Sequence, residues 1–209
     1  MSAIKGLYAI TPDEMDTDIL LVKVEAALQG GIGILQYRNK LAGHKLKTQQ
    51  ARVLLPLCRQ YQVPFIINDS IKLCLTLDAD GVHLGADDGN LAEARARLGS
   101  NKILGASCYN RFDLALSAQQ AGATYVAFGA CFVSSTKPHA PVANLDLFKQ
   151  AKAQLHIPAV AIGGITLTNA PSVIQAGADS IAVINAIFNP NFTLDDVKAT
   201  TQQFAQLFG

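Results

Sequence analysis

Eight short apolar runs recur along this chain, and each is followed by a longer stretch in which apolar residues have helical spacing. This alternation is typical of parallel strands that are connected by helices. Most of the runs lack polar alternation, as expected for strands that are buried on both faces. The sequence therefore predicts an α/β fold, a (β/α)8 TIM barrel, with strands at 7–10, 32–37, 65–68, 81–83, 103–107, 125–128, 159–162 and 180–184.

The stretches between these runs predict the eight helices of the barrel. Glycine follows several of them, as at 30–31 and 122, where a left-handed residue ends a helix most easily. A doubly wound open sheet is the structural alternative, but the first turn lacks its glycine fingerprint. With 209 residues we expect a single domain over 1–209. Helices are expected at 18–29, 45–61, 71–77, 91–98, 111–121, 145–154, 169–176 and 194–207.

Charge and cysteine usage indicate the kind of partner and the compartment. Lys plus Arg number 17 and Asp plus Glu number 16, so the overall field is weak and favours neither nucleic acid nor a membrane surface. We expect a small-molecule partner. The four cysteines show no close pairing, so neither a zinc site nor a disulfide framework is indicated. With no apolar segment typical of a signal peptide or a membrane span, we expect a cytoplasmic protein, and the oligomeric state stays open.

Polar residues that follow the strands are the candidates for chemistry, because the loops at the carboxyl ends of the strands build the active site of such barrels. The second strand ends in Gln36-Tyr37-Arg38-Asn39-Lys40, a segment that we assign to substrate binding. Its two cations suit a polyphosphate. Asn68 and Asp69 follow the third strand and Asp88 the fourth, and paired carboxylates suit Mg²⁺. A solvated loop and helix capping are the alternatives for these residues.

Three later loops are candidates for a phosphate site. Ser134-Ser135-Thr136-Lys137 supplies hydroxyls and a cation, although a plain hydroxyl-rich loop is equally consistent. Gly163-Gly164 follows the seventh strand and Ile184-Asn185 ends the eighth, where barrels of this kind recurrently bind phosphate on backbone N–H groups. His83 is interpreted as a packed, hydrogen-bonded ring rather than a catalyst. No pairing of a nucleophile with a base is evident.

Taken in order, these motifs resemble the thiamine-phosphate synthase family over nearly the whole chain. The segments that carry the resemblance are Gly6-Leu7-Tyr8-Ala9-Ile10-Thr11, Gln36-Tyr37-Arg38-x-Lys40, Asn68-Asp69, Asp80-Gly81-Val82-His83-Leu84-Gly85, Asp88, Leu104-Gly105-Ala106-Ser107, Ser134-x-Thr136-Lys137, Ile162-Gly163-Gly164-Ile165 and Ala176-Gly177-Ala178-Asp179.

The resemblance implies a transferase that joins a pyrimidine diphosphate to a thiazole phosphate, releases diphosphate and uses Mg²⁺ on Asp69 and Asp88. It also implies a dissociative reaction, in which Arg38, Lys40 and Lys137 are catalytic because they neutralise the leaving diphosphate. Two sets of residues would contact the substrates. The pyrimidine diphosphate would contact Gln36, Arg38, Lys40, Asn68, Ser107 and Lys137, and the thiazole phosphate Ser134, Ser135, Thr136, Gly164, Ile184 and Asn185.

Several residues depart from the family pattern, and two alternatives stay open. Ala86 occupies a position where the family usually has glutamine, Ser134 one where threonine is common and Asn185 one where serine is common. Residues 108–110 lack the histidine that is frequent in the family at this stretch. A thiazole tautomerase of the same superfamily would share the phosphate motifs but generally lacks the metal-binding residues. A non-catalytic barrel that binds a thiamine precursor is the second alternative.

Overall fold

The computed structural model describes residues 4–86, 88–133 and 143–209. Within these ranges, eight parallel strands pair in chain order, and β8 pairs with β1 to close a barrel, which confirms the predicted fold. The strands are β1 Gly6–Ile10, β2 Ile34–Tyr37, β3 Phe65–Asn68, β4 Gly81–Leu84, β5 Ile103–Tyr109, β6 Tyr125–Phe128, β7 Ala159–Ile162 and β8 Ser180–Val183.

A helix follows each strand in the described part of the chain. Side chains cap several of them; Asp16, for example, accepts hydrogen bonds from the backbone N–H groups of Asp18 and Ile19. None of the described helices combines the length and the apolar character that crossing a membrane requires. The helices are α1 Thr17–Gln29, α2 His44–Gln60, α3 Ile71–Leu77, α4 Leu91–Leu98, α5 Phe112–Gln120, α6 Asp146–Gln154, α7 Ala170–Gln175 and α8 Leu194–Gln206.

The predicted element bounds differ from the structure mainly at two strands. Every helix agrees within one residue at each end. β2 begins at Ile34 because the preceding residues still belong to the turn, although the N–H of Gly33 already donates to the carbonyl of Leu7 at 2.8 Å. β5 continues to Tyr109 because its register with β6 shifts after Ser107. The shift ends the strand at a residue with φ of 52°, a local irregularity that apolar periodicity does not reveal.

Alternate residues of each strand face either the barrel interior or the surrounding helices. The interior cluster contains Tyr8, Ile34, Ile66, Tyr125 and Val160, all at most 1% exposed. Because side chains alternate along a strand, the same inward face continues to the carboxyl ends of β2 to β5. Four polar side chains therefore point into the top of the barrel, namely Gln36, Asn68, His83 and Ser107.

Candidate active site

The loop after β2 is held in place by the loop after β1. The guanidinium of Arg38 donates to both carboxylate oxygens of Asp13 at 3.3 Å, and the backbone N–H of Lys40 donates to the same carboxylate at 2.6 Å. The hydroxyl of Thr11 donates to the carbonyl of Arg38 at 2.7 Å and accepts from its N–H at 2.8 Å. These contacts fix the backbone that carries both predicted cations.

Tyr37 and Asn39, two residues assigned to substrate binding, face away from the barrel interior. The Tyr37 hydroxyl donates to the side-chain oxygen of Gln50 in α2 at 2.8 Å. Nδ2 of Asn39 donates to the same oxygen at 3.1 Å and to the carbonyl of Glu14 at 2.6 Å. Both residues are buried, so their side chains anchor the loop to α2 and to the loop after β1. Direct substrate contact by either residue stays a prediction.

Asp69 and Asp88 come together at the carboxyl ends of β3 and β4. Burial, a hydrogen bond with Asp88 and the charge of Asp88 raise the pKa of Asp69 to about 6, while the nearby charges of Lys40 and Arg38 act in the opposite direction. Asp88 also accepts a hydrogen bond from the N–H of Gly85 at 2.7 Å. Arg38, Lys40 and Asp69 line a common cleft between the loops after β2 and β3.

The carboxylate pair fits a divalent cation that is shared with a phosphorylated substrate. Two carboxyl groups close enough to share a hydrogen bond repel each other when both are ionised, and a divalent cation between them would remove that repulsion. Within the described residues, no group of three or more histidine, cysteine or acidic side chains is arranged to hold a metal ion. Because Mg²⁺ needs only one or two carboxylates from the protein, Asp69 and Asp88 would suffice as its protein ligands, with phosphate oxygens and water completing its shell.

Five polar side chains from five strands form a hydrogen-bonded network across the barrel, which we call the interior network. Gln36 donates through Nε2 to the hydroxyl of Tyr8 at 2.8 Å, and the hydroxyls of Tyr8 and Tyr125 are 2.7 Å apart. Nδ1 of His83 lies 2.8 Å from the Tyr125 hydroxyl, and Nε2 lies 2.9 Å from Oγ of Ser107. Burial lowers the pKa of His83 to about 4, so the ring is neutral near pH 7. His83 is thus a packed, hydrogen-bonded ring.

The glycine pair after β7 packs against the loop after β6. Gly163 and Gly164 have φ of 99° and 63°, values that L side chains rarely adopt. A Cβ on Gly164 would lie 2.6 Å from the carbonyl oxygen of Phe132, so the two backbones are in close contact. The side chain of Asn169 donates to the Gly164 carbonyl at 3.0 Å. Packing against the loop after β6 therefore already requires glycine at position 164. Phosphate binding at this position stays a prediction.

The remaining predicted phosphate contacts divide between β8 and a segment that the structure leaves undescribed. Ile184 directly follows β8, is partly buried and packs against the interior cluster. Asn185, the next residue, is exposed. Four predicted residues lie outside the described ranges, namely Ser134, Ser135, Thr136 and Lys137.

Sequence reasoning missed three residues that organise this end of the barrel. Tyr8 and Tyr125 occur within apolar runs and are easily taken for core residues, yet their hydroxyls connect Gln36 to His83. Asp13 is exposed and is part of a turn-like segment, yet it holds both Arg38 and Lys40. A signal was present for the tyrosines, because they share the inward register with Gln36 and His83.

Comparison with known proteins shows the family to which the chain belongs. A family model described as thiamine monophosphate synthase matches residues 7–187. The thiamine-phosphate synthase of Methylobacillus flagellatus is 58% identical over 98% of this chain and 96% of its own, and that of Aromatoleum aromaticum is 52% identical over 89% of each. The structure of thiamine phosphate pyrophosphorylase from Pyrococcus furiosus superposes with a TM-score of 0.85 at 32% identity, over 99% of this chain and 96% of its own. The chain therefore belongs to the thiamine monophosphate synthase family, a family of transferases in thiamine biosynthesis.

Proposed function

We propose that this chain joins a pyrimidine diphosphate to a thiazole phosphate at the carboxyl ends of the strands, giving thiamine phosphate and diphosphate. The bond between the pyrimidine methylene carbon and the diphosphate oxygen breaks, and a bond forms from the thiazole nitrogen to that carbon. The observation that carries the proposal is that Arg38, Lys40 and Asp69 line one cleft, with Asp88 beside Asp69. Such an arrangement binds a diphosphate together with a divalent cation.

Arg38 and Lys40 stabilise the leaving diphosphate. Their backbone is fixed by Asp13 and Thr11, so their positive charges are held near the place where negative charge develops. Because Asp13 already accepts from Arg38, the guanidinium keeps its orientation before substrate arrives. Lys137, predicted from the resemblance, would supply a third charge. Neither step requires a protein nucleophile. Ser107 lies 2.9 Å from Nε2 of His83, but the proposed reaction uses this pair for hydrogen bonding and not for nucleophilic attack.

Mg²⁺ is the cofactor that we assign to Asp69 and Asp88. When bound, it neutralises charge on the diphosphate. The two carboxylates would hold the cation, and the charges of Lys40 and Arg38 act on Asp69 from the β2 loop. The raised pKa of Asp69 supports this role, since burial and, after it, the nearby Asp88 disfavour its charged form, and a divalent cation would offset both effects.

The two organic rings are assigned to different parts of the barrel mouth. Gln36, Asn68 and Ser107 point into the interior, where they can hydrogen-bond a flat heterocycle whose diphosphate extends toward the β2 loop. The thiazole phosphate is assigned to the loops after β7 and β8, at Gly164, Ile184 and Asn185, with Ser134, Ser135 and Thr136 as further predicted contacts. The glycines support this because, lacking side chains of their own, they leave backbone N–H groups uncovered by them after β7.

The compartment proposed for this chemistry is the cytoplasm. All four cysteines are free and buried, as suits a protein that needs no oxidising environment.

The decisive assay incubates the purified chain with both phosphorylated precursors and Mg²⁺ and measures thiamine phosphate and diphosphate. The proposal expects the two products in equal amounts and their loss when a chelator removes the metal. Binding of precursors without product would instead favour a non-catalytic barrel, and rearrangement of the thiazole alone would favour a tautomerase. Full activity in excess chelator would contradict the metal assignment.

A further inference from the structure

Four of the five side chains of the interior network are buried, and Ser107 at its end is partly buried. Tyr125 is 0% exposed, Tyr8 1%, Gln36 4% and His83 9%. In the described part of the chain, none of the buried polar side-chain atoms of this network lacks a partner. Its surroundings are the apolar residues of the barrel interior, where an unpaired polar group is costly. The network therefore persists only if each member keeps its partner.

Gly105 in β5 provides the space in which the phenol of Tyr125 meets the imidazole of His83. A Cβ at this position would lie 2.1 Å from Cζ of Tyr125 and 2.5 Å from Nδ1 of His83. Its presence is therefore incompatible with the observed hydrogen bond. The two rings also stack, with centroids 5.5 Å apart and an interplanar angle of 27°. The backbone of β5 is thus adapted to this contact.

The donor at one end of the network favours one direction for the hydrogen bonds that follow. With the Gln36 amide donating to Tyr8, the arrangement that gives every tyrosine proton an acceptor has Tyr8 donating to Tyr125, 2.7 Å away. In the same arrangement Tyr125 donates to Nδ1 of His83, 2.8 Å away. A neutral imidazole that accepts at Nδ1 carries its proton on Nε2, which then donates to Oγ of Ser107. The hydroxyl proton of Ser107 remains available for another acceptor.

We propose that the interior network positions Ser107 as a hydrogen-bond donor toward the pyrimidine substrate by holding His83 in the Nε2–H tautomer. Tyr8, Tyr125 and His83 are positioning residues in this account, and Gln36 and Ser107 are the two ends that reach the site. The inference rests on the proposed binding of the pyrimidine diphosphate by Gln36 and Ser107. It assigns the buried tyrosines a role in orienting the substrate that their packing alone does not require.

The tautomer is tested first in the free protein, by two-bond ¹H–¹⁵N correlation spectra of the histidine rings. The expected result is protonation of His83 at Nε2 in the wild type and a changed Nδ1 resonance in Tyr125→Phe. Tyr8→Phe is the graded variant: Tyr125 keeps its contact with Nδ1 but loses the donor that orients its proton, so a smaller change in the Nδ1 resonance is expected. A wild-type ring protonated at Nδ1, or identical spectra for all three proteins, would overturn the proposal. The wild-type spectrum decides even if a variant fails to fold.

The effect on substrate is tested by titration calorimetry with the pyrimidine diphosphate. Tyr125→Phe should weaken binding about tenfold in the wild type but less than about twofold in a Ser107→Ala background, because the tyrosine acts through the serine. The control Tyr61→Phe alters a tyrosine at the end of α2, outside the network, and should change nothing. Equal weakening by Tyr125→Phe in both backgrounds would mean a merely structural role. The spectra need no turnover, so failure of the proposed reaction would show separately, as absence of product.

Discussion

Replacing Gly105 by alanine should destabilise the protein far more than a typical glycine-to-alanine change. The new Cβ would lie 2.1 Å from Cζ and 2.3 Å from the hydroxyl of Tyr125, and 2.5 Å from Nδ1 of His83. Neither ring can move aside easily, because Tyr125 is hydrogen-bonded to Tyr8 and His83 is hydrogen-bonded to Ser107. Overpacking of this kind costs about 1–3 kcal/mol, and loss of the hydrogen bond between the two buried rings adds a similar amount.

The sum is a loss of about 4 kcal/mol, or a fall of about 8–16 °C in the thermal midpoint of a chain this long. Urea unfolding followed by circular dichroism measures it. Gly43→Ala is the matched control: Gly43 precedes α2, no atom lies within 4 Å of its added Cβ, and the expected loss is below about 1 kcal/mol. Equal stabilities for the two variants, with unchanged His83 resonances, would refute the idea that Gly105 makes room for the network.

Three further predictions concern the rim. Asp88→Asn should lower the pKa of Asp69 below about 6, because it removes the charge and hydrogen bond of Asp88 while burial, the larger cause, keeps part of the shift; a ¹³C carboxyl titration of the metal-free protein checks this, and an unchanged pKa would contradict the pairing. In the wild type, Mg²⁺ binding should weaken as pH falls through about 6, when Asp69 takes up a proton. Gly164→Val should weaken thiazole-phosphate binding more than pyrimidine-diphosphate binding in calorimetric titrations, and it should also lower the unfolding free energy, because its Cβ would meet the carbonyl of Phe132 at 2.6 Å. Lys137→Ala should slow single-turnover product formation by about 100-fold with little change in thermal midpoint, whereas an unchanged rate would place Lys137 outside the reacting centre.

The barrel could be predicted from the sequence because strands buried on both faces leave a simple signal. Continuous apolar runs bounded by helical periodicity predicted all eight units, and glycines with positive φ, such as Gly122, end several helices as expected. The missed details are local. The register shift beyond Ser107 depends on how β5 meets β6, which apolar periodicity does not encode.

The site was predictable where position along a strand decides which residues meet. Arg38, Lys40 and Asp69 meet because each follows a neighbouring strand at the same end of the barrel. The interior network was predictable only in part, because alternation along the strands puts its side chains on the inward face but does not show which of them meet. Tyr8 and Tyr125 are 117 residues apart, and their hydrogen bond depends on how the strands close into a barrel, which neither apolar run reveals.

The most direct test of the central claim, that the Asp69–Asp88 pair belongs to the reacting centre, compares turnover of Asp69→Asn with that of Asp78→Asn. The comparison is matched because both aspartates have left-handed backbone, with φ of 62° and 55°, which asparagine tolerates well. Asp78 ends α3 at the opposite end of the barrel, where it pairs with Lys102 at 2.6 Å. At saturating precursors and Mg²⁺, the rate of thiamine phosphate formation should fall about 100-fold or more in Asp69→Asn and less than about twofold in Asp78→Asn. Equal rates in the two variants would contradict the account.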